Sequence, residues 1–205
     1  MQRAANSQDK PFTATGKRIA LTFDDGPNEG AAATVLDILQ RYEVQATFFC
    51  IGAQAQKHPA VLRRMVGEGH VVGNHSYSHP DLTKESDDEV IRQLERTSEI
   101  LKEATGLRPR LFRPPFGSVD DRVKSLARDY HIVLWNVSSE DWRRIPGPAV
   151  AANVLAHLQD ESIVLHHCFE DIRGTLDALP YLIEIGRALG YEFVTADSML
   201  GVSPY

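Results

Sequence analysis

Short apolar runs alternate with longer segments of helical periodicity along almost the whole chain, and few folds accommodate that pattern. Seven of the short runs are rich in β-branched or aromatic residues and are candidate strands: RIALTF, ATFFCI, HVVGN, RLFR, HIVLWNV, SIVLHH and EFVTA. Between them, apolar residues recur at spacings of three and four, which is typical of amphipathic helices. Gly69, Gly106 and Gly190 follow three of these segments, where a left-handed helix cap is expected.

This alternation predicts parallel strands joined by right-handed crossovers. We therefore expect an α/β fold, a distorted or incomplete (β/α) barrel of about seven parallel strands. An open doubly wound sheet is the alternative. The chain of 205 residues shows neither an internal repeat nor a linker, so a single domain is expected. Polar residues 1–17 are interpreted as an N-terminal arm or linker, and residues 18–205 as the barrel.

Charge and hydropathy argue against several classes of partner. The chain carries 22 Lys and Arg against 28 Asp and Glu, a formal net charge of −6, which creates no field that favours nucleic acid or an anionic membrane. No segment approaches the roughly 18 apolar residues that a membrane-spanning helix needs. The cysteines, Cys50 and Cys168, are too few for a disulfide framework and are expected to be buried free thiols. We expect a monomer.

The first candidate strand runs directly into two aspartates, Asp24 and Asp25, followed by Gly26 and Pro27. In either predicted architecture, functional groups gather at the carboxyl ends of the strands. Adjacent carboxylates repel each other unless a cation or a proton lies between them. An aspartate that caps the next helix is the simpler interpretation of this motif on its own.

The third candidate strand leads to a pair of histidines, His75 and His79. Their spacing of four places both rings on one face of a helical turn, where both imidazoles reach one divalent ion. Pro80 disfavours helical geometry at His79, so the turn is expected to end there. With a carboxylate from another strand end, the pair predicts a His, His, Asp site with positions open for water and substrate.

Three further strand ends carry groups that packing alone does not explain. The fourth ends at Arg113, which is suited to a bidentate pair with a carboxylate that keeps this carboxylate ionised. The fifth ends in Trp135-Asn136-Val137-Ser138-Ser139-Glu140-Asp141-Trp142, and the sixth in Leu165-His166-His167-Cys168.

Taken together, these motifs resemble those of the polysaccharide deacetylases of carbohydrate esterase family four. The resemblance covers about residues 18–200 and rests on five motifs in order: Thr22-Phe23-Asp24-Asp25-Gly26-Pro27, His75-Ser76-Tyr77-Ser78-His79, Arg113-Pro114-Pro115-Phe116, Ser138-Ser139-Glu140-Asp141-Trp142 and Leu165-His166-His167. The first two are highly specific at this separation, and the last two are loose. The fold of that family is a distorted (β/α) barrel, in agreement with the strand count.

The resemblance implies a division of labour between the two aspartates. Asp25, His75 and His79 would hold a divalent metal, most often zinc, although other first-row ions also serve in the family. Asp24 would be the general base, oriented by Arg113. The metal would polarise the carbonyl of an acetamide and help to deprotonate water.

The remaining roles follow from the same resemblance. The backbone N–H of Phe116 would help to stabilise the tetrahedral oxyanion. His167 would be the general acid, with Asp141 orienting its ring and raising its pKa. Trp142 and Leu165 would wall the pocket for the acetyl methyl group. His166, on the alternate side of the strand, is expected to be structural.

The resemblance therefore implies a metal-dependent hydrolase that removes N-acetyl groups from N-acetylglucosamine units of peptidoglycan or chitin-type oligomers. Alternatives are an O-acetyl esterase on xylan-type hemicellulose, a catalytically silent glycan-binding barrel, and a metal-independent hydrolase of cyclic amides. Such glycans lie outside the cytosol, so an extracellular or cell-wall protein without its export signal is expected. Three positions depart from the common family pattern, Phe116, Ser138 and Cys168, and none is an expected metal ligand or proton-transfer group.

Overall fold

The computed structural model describes residues 16–205 and contains an eight-stranded sheet in which every pairing is parallel. The strands are β1 (Lys17–Asp24), β2 (Thr47–Cys50), β3 (Val71–Asn74), β4 (Leu111–Phe112), β5 (His131–Ile132), β6 (Val137–Ser138), β7 (Ser162–His167) and β8 (Tyr191–Phe193). Their order is β5-β4-β3-β2-β1-β7-β6, and β8 pairs with the first residues of β1. Within the described residues no ladder joins β5 to β6, so the predicted incomplete barrel is confirmed.

Eight α-helices accompany the sheet in the described part of the chain. They are α1 (Ala31–Arg41), α2 (Gly52–Lys57), α3 (Pro59–Gly67), α4 (Asp87–Thr105), α5 (Asp121–Leu126), α6 (Gly147–His157), α7 (Arg173–Ala188) and α8 (Ala196–Leu200). The longer ones bury one apolar side, such as Val35, Leu36 and Leu39 of α1, because that side packs on the sheet. None of these described helices is long and apolar enough to cross a membrane.

The predicted glycine caps are confirmed. Gly69, Gly106 and Gly190 have φ of 84°, 78° and 81°, the left-handed region that glycine adopts without steric cost. The expectation that Cys50 and Cys168 are buried free thiols is also confirmed.

The prediction of one continuous fifth strand, HIVLWNV, is wrong. This segment forms two short strands at opposite edges of the sheet, with β5 paired to β4 and β6 paired to β7. The chain between them crosses the open side of the barrel. The carbonyl oxygens of Val133 and Leu134 accept hydrogen bonds from the Arg113 guanidinium instead of from a neighbouring strand. A buried arginine therefore interrupts the ladder.

Strand β1 is an interior strand that pairs with β2, β7 and β8, and it carries the first motif. Its Cα partners at Asp24 are Phe49 in β2 and His167 in β7, so the end of β1 lies between two other strand ends. The predicted N-terminal arm, residues 1–17, lies almost entirely outside the described residues, and Lys17 already belongs to β1.

Candidate active site

The backbone turns between the two aspartates at the end of β1. Asp24 is the last residue of the strand and is buried, whereas Asp25 has a φ of 75° and begins the turn. Left-handed φ is uncommon for residues other than glycine, and aspartate is among those that tolerate it. Both carboxylates nevertheless approach one nitrogen, since Asp25 Oδ1 lies 3.5 Å and Asp24 Oδ2 3.7 Å from His75 Nε2.

Asp25, His75 and His79 converge on one point. Asp25 Oδ1 lies 3.5 Å from His75 Nε2 and 3.4 Å from His79 Nε2. His75 Nδ1 lies 2.6 Å from the carbonyl oxygen of Arg113, so Nδ1 carries the proton and the lone pair of Nε2 faces Asp25. Asp25 Oδ1 is buried and has no hydrogen-bond partner among the described residues. An orphaned carboxylate oxygen beside two imidazole nitrogens fits a divalent cation.

Electrostatics favours an anionic Asp25 beside two imidazoles. Burial alone would raise the pKa of Asp25, but the neighbouring imidazoles of His75, His167 and His79 hold it below its usual value. Burial, together with the neighbouring His75, lowers the pKa of His79. Neutral imidazole and ionised carboxylate are the forms that bind a metal.

The predicted helical turn at His75 and His79 is wrong, although the two rings still meet, with centroids 5.0 Å apart. Ser76 and His79 have φ of 63° and 62°, and no helix covers this segment. The Ser76 N–H donates to Asn74 Oδ1, and the His79 N–H donates to Ser76 Oγ. Side-chain acceptors therefore replace the carbonyl acceptors of a helix.

Arg113 is fully buried and holds Asp24. Its Nη1 donates to Asp24 Oδ1 at 2.8 Å and to Thr22 Oγ1 at 2.7 Å. The bidentate pair considered from the sequence does not form, because Nε and Nη2 donate to the carbonyl oxygens of Val133 and Leu134. Burial lowers the pKa of Arg113 and the charge of Asp24 opposes that effect.

Asp141 and His167 form a second buried pair. His167 Nδ1 lies 2.7 Å from Asp141 Oδ1, while Asp141 Oδ2 accepts the His167 backbone N–H and the Thr175 hydroxyl. Burial would lower the pKa of His167, but the hydrogen bond and charge of Asp141 outweigh it, and the pKa is raised. Burial would raise the pKa of Asp141, yet these partners lower it to about 2. Asp141 therefore favours the protonated form of the His167 ring.

One cleft joins these groups. It has a volume of about 510 Å³, and its lining residues are Asp24, Asp25, His75, His79, Phe116, Trp135, Trp142, Leu165, His167 and Phe169. Leu165 is 5% exposed, whereas Trp142 and Phe116 are 55% and 67% exposed and lie at the rim. The Phe116 ring contacts His79 edge-on, with centroids 4.6 Å apart. All ten sequence-predicted site residues therefore lie in this cleft or in direct contact with a group that lines it.

Sequence reasoning assigned no site role to Trp135, Phe169 or Thr175, although it placed Trp135 at the end of the fifth predicted strand. The guanidinium carbon Cζ of Arg113 lies 5.7 Å from the centroid of the Trp135 ring. The ring centroids of Phe169 and His167 are also 5.7 Å apart. Phe169 follows the last motif by two residues, so its position was a usable signal. No local signal marks Thr175, which reaches Asp141 from helix α7.

Comparisons with known proteins identify the family of this chain. The family model described as "Polysaccharide deacetylase" matches residues 13–135. A peptidoglycan-N-acetylglucosamine deacetylase of Bacillus cereus is 38% identical over 90% of this chain and 69% of its own length. The PgdA enzyme of the same description from Listeria monocytogenes is 42% identical over 93% of this chain, which spans only 40% of that relative.

Similarity to a solved structure extends over nearly the whole chain. The Bc1960 peptidoglycan N-acetylglucosamine deacetylase, solved with an N-oxidanyl-benzamide ligand, superposes with a TM-score of 0.90 at 36% identity, covering 93% of this chain and 91% of that one. The family match spans more than half of this sequence, and the sheet that carries the site matches in three dimensions. The chain therefore belongs to the polysaccharide deacetylase family.

Proposed function

We propose that this chain is a metal-dependent hydrolase that removes acetyl groups from N-acetylglucosamine units of peptidoglycan. The observation that carries the proposal is one cleft that holds a candidate cation site, a carboxylate fixed by arginine and an imidazole fixed by a carboxylate. Amide hydrolysis needs a polarised carbonyl, a base for water and an acid for the leaving amine. The names of the relatives support peptidoglycan as the substrate.

Asp25, His75 and His79 would hold the metal, with zinc the ion best suited to two imidazoles and one carboxylate. When bound, such an ion acts as a Lewis acid on the acetyl carbonyl and lowers the pKa of water. The protein residues prepare this site in advance. The Arg113 carbonyl orients the His75 ring, and the left-handed turn at Asp25 presents its carboxylate.

Asp24 is the general base of the proposed reaction. Its Oδ1 accepts from Arg113, while Oδ2 lies 3.7 Å from His75 Nε2, on the side of the candidate metal site. Arginine keeps its charge at any ordinary pH, so it fixes the orientation of the carboxylate throughout turnover. Asp24 Oδ2 then takes the proton of the attacking water.

His167 is the general acid. Because Nδ1 is engaged by Asp141, the proton that leaves must be the one on Nε2. The hydrogen bond and charge of Asp141 raise the pKa of His167, which favours the protonated ring that an acid needs. Nε2 donates its proton to the amine nitrogen as the carbon–nitrogen bond breaks.

The acetyl group is held by the remaining residues of the cleft. The Phe116 backbone N–H is the proposed donor to the oxyanion, and buried Leu165 with Trp142 contacts the methyl group. A second depression, lined by Asp25, His58, His79, Arg144 and other residues, continues the cleft along the surface. An extended open groove suits a polymer, and a peptidoglycan substrate implies action outside the cytosol at the cell wall.

The test is acetate release from peptidoglycan, N-acetylglucosamine oligomers and acetylated xylan, with metal content measured on the same preparation. Release from the first substrate, abolished by a chelator and restored by zinc, is the expected result. Release from acetylated xylan alone would replace the proposal with an O-acetyl esterase. Sugar binding without acetate release from any of the three would indicate a silent glycan-binding barrel.

The metal content of variants should distinguish the three proposed metal ligands from the proposed base. Asp25→Ala, His75→Ala and His79→Ala should each lose metal and activity together. Asp24→Asn should retain its metal and lose activity. Full metal content in the Asp25→Ala protein would contradict the ligand assignment.

A further inference from the structure

His166 precedes the proposed acid in strand β7, and its side chain is fully buried. Its ring stacks on Phe23 with centroids 5.4 Å apart, and Phe23 stacks on Phe48 at 5.1 Å. In the sheet register, Phe23 of β1 pairs with Phe48 of β2 and with His166 of β7. The three rings therefore form one row across these strands. As far as packing is concerned, a phenylalanine would complete this row as well as histidine does.

Packing does not account for the two ring nitrogens of His166. Both are buried, and neither has a hydrogen-bond partner in the part of the chain that the structure describes. Buried polar atoms without partners destabilise a fold. Nδ1 lies 3.9 Å from Asp141 Oδ2, longer than a hydrogen bond but close enough for the dipole of the ring to act on the carboxylate.

Two consecutive histidines therefore face one carboxylate. Asp141 Oδ1 binds the ring of His167, whereas the ring of His166 approaches Oδ2. The charged groups that act on His166 are Asp141 and His167, and burial lowers its pKa to about 4. The ring is neutral at neutral pH, and the nearby carboxylate favours the tautomer with the proton on Nδ1.

We propose that His166 is a positioning residue that acts through Asp141 to set the pH range over which His167 is protonated. The positive end of its Nδ1–H dipole faces Asp141 and offsets part of the negative charge that His167 experiences. His167 consequently releases its proton at a lower pH than it would beside an apolar ring. An acid whose pKa stays near the working pH both donates and recovers its proton efficiently. The inference rests on the proposed role of His167 as the acid.

The test compares variants of the metal-loaded protein by NMR titration of the His167 ring and by the pH dependence of kcat. His166→Phe keeps the aromatic row and removes both nitrogens. The His167 titration and the alkaline limb of kcat should both move upward by about 0.5 pH unit, roughly a threefold change in the ratio of protonated to neutral ring. An unchanged titration in a folded His166→Phe protein would overturn the proposal.

Two amide variants distinguish positioning from packing. His166→Asn places a donor near the position of Nδ1 and should restore the wild-type titration. His166→Gln carries its amide further out, near the position of Nε2, and should shift the titration as phenylalanine does. If His166→Phe does not fold, the comparison of His166→Asn with His166→Gln still tests the proposal. Identical His167 titrations in these two variants would refute the role of His166 Nδ1. Because the NMR titration needs no turnover, a shift in a protein without deacetylase activity would uphold the His166 inference while the proposed function fails.

Discussion

Two buried carboxylates beside the cleft hold cations at nearly the same distance, yet the two pairs differ in kind. Asp24 Oδ1 lies 2.8 Å from Arg113 Nη1, and Asp141 Oδ1 lies 2.7 Å from His167 Nδ1. The arginine is fully buried and is anchored by two backbone carbonyls. The histidine side chain is 16% exposed and opens to the cleft. The Asp24–Arg113 pair is therefore a permanent pair, because a guanidinium stays charged. The Asp141–His167 pair is a titrating pair, because an imidazole gains and loses a proton near neutral pH.

The difference between the two pairs matches the two proton-transfer roles proposed above, those of a base and of an acid. A guanidinium does not titrate in the working range, so it orients a carboxylate without competing for the proton that the carboxylate receives. An imidazole does titrate there, so a carboxylate partner raises its pKa and makes it an acid. In the proposed reaction the two carboxylates therefore have opposite roles, since Asp24 receives a proton and Asp141 holds the ring that donates one.

The permanent pair should show the largest effect on stability. Arg113→Met leaves Asp24 as an uncompensated buried charge, and the free energy of unfolding should fall by about 3–5 kcal/mol. The measurement is denaturant unfolding at neutral pH.

The matched control is Arg122→Met. Arg122 Nη1 contacts Asp87 Oδ1 at the same distance of 2.8 Å, but the pair lies at the surface. Its loss should cost about 0–1 kcal/mol. An equal loss of unfolding free energy in Arg113→Met and Arg122→Met would show that burial does not make the first pair more important for stability.

The titrating pair should show its main effect in activity. His167→Ala removes the proposed acid, and kcat for the amide should fall by about 10²–10⁴-fold while metal content is retained. His157→Ala, an exposed histidine of α6, is the control and should leave kcat unchanged. A normal rate in the His167→Ala protein would exclude this residue as the acid.

Asp141→Asn should have a smaller effect than loss of the acid itself. The ring of His167 remains, but its charged partner becomes neutral and its pKa falls, so kcat should drop by about 10–100-fold and the alkaline limb should move to lower pH. Asp171→Asn, an exposed aspartate near Arg144, serves as the control. If the alkaline limb of kcat lies at the same pH in Asp141→Asn as in the wild type, Asp141 does not influence the pKa of the acid.

The smallest effect is a pH dependence of stability that only the second pair should show. The pKa of His167 is raised in the folded state, so its contribution is complete below the unfolded value of about 6.5 and is lost as pH rises through the folded value. The difference in unfolding free energy between wild type and His167→Gln should therefore shrink above neutral pH. The corresponding difference for Arg113→Met should not decline over the same range, and a decline parallel to that of His167→Gln would show that the two pairs do not differ in their pH dependence.

The fold and most of the site were accessible from local patterns. Apolar periodicity located the parallel strands and the helix ends at Gly69, Gly106 and Gly190. The break in the fifth predicted strand was not accessible, since HIVLWNV has the composition of a strand throughout. It is interrupted because Arg113, distant in sequence, takes two of its carbonyls.

The turn that holds the two histidines shows the same limit. Their spacing of four was compatible with a helix, and the structure brings them together without one. The acceptors that shape it, Asn74 Oδ1 and Ser76 Oγ, are local, but several backbone conformations satisfy such groups.

By itself, the sequence determined which polar residues stand at strand ends, because strand periodicity and turn residues act over short range. Only the tertiary structure decided which of these residues meet. The register of β7 beside β1 sets His167 next to Asp24, and Thr175 reaches Asp141 from helix α7. It also placed His166 at the end of an aromatic row and beside that carboxylate. Such contacts depend on how separate elements pack, and no short stretch of sequence encodes them.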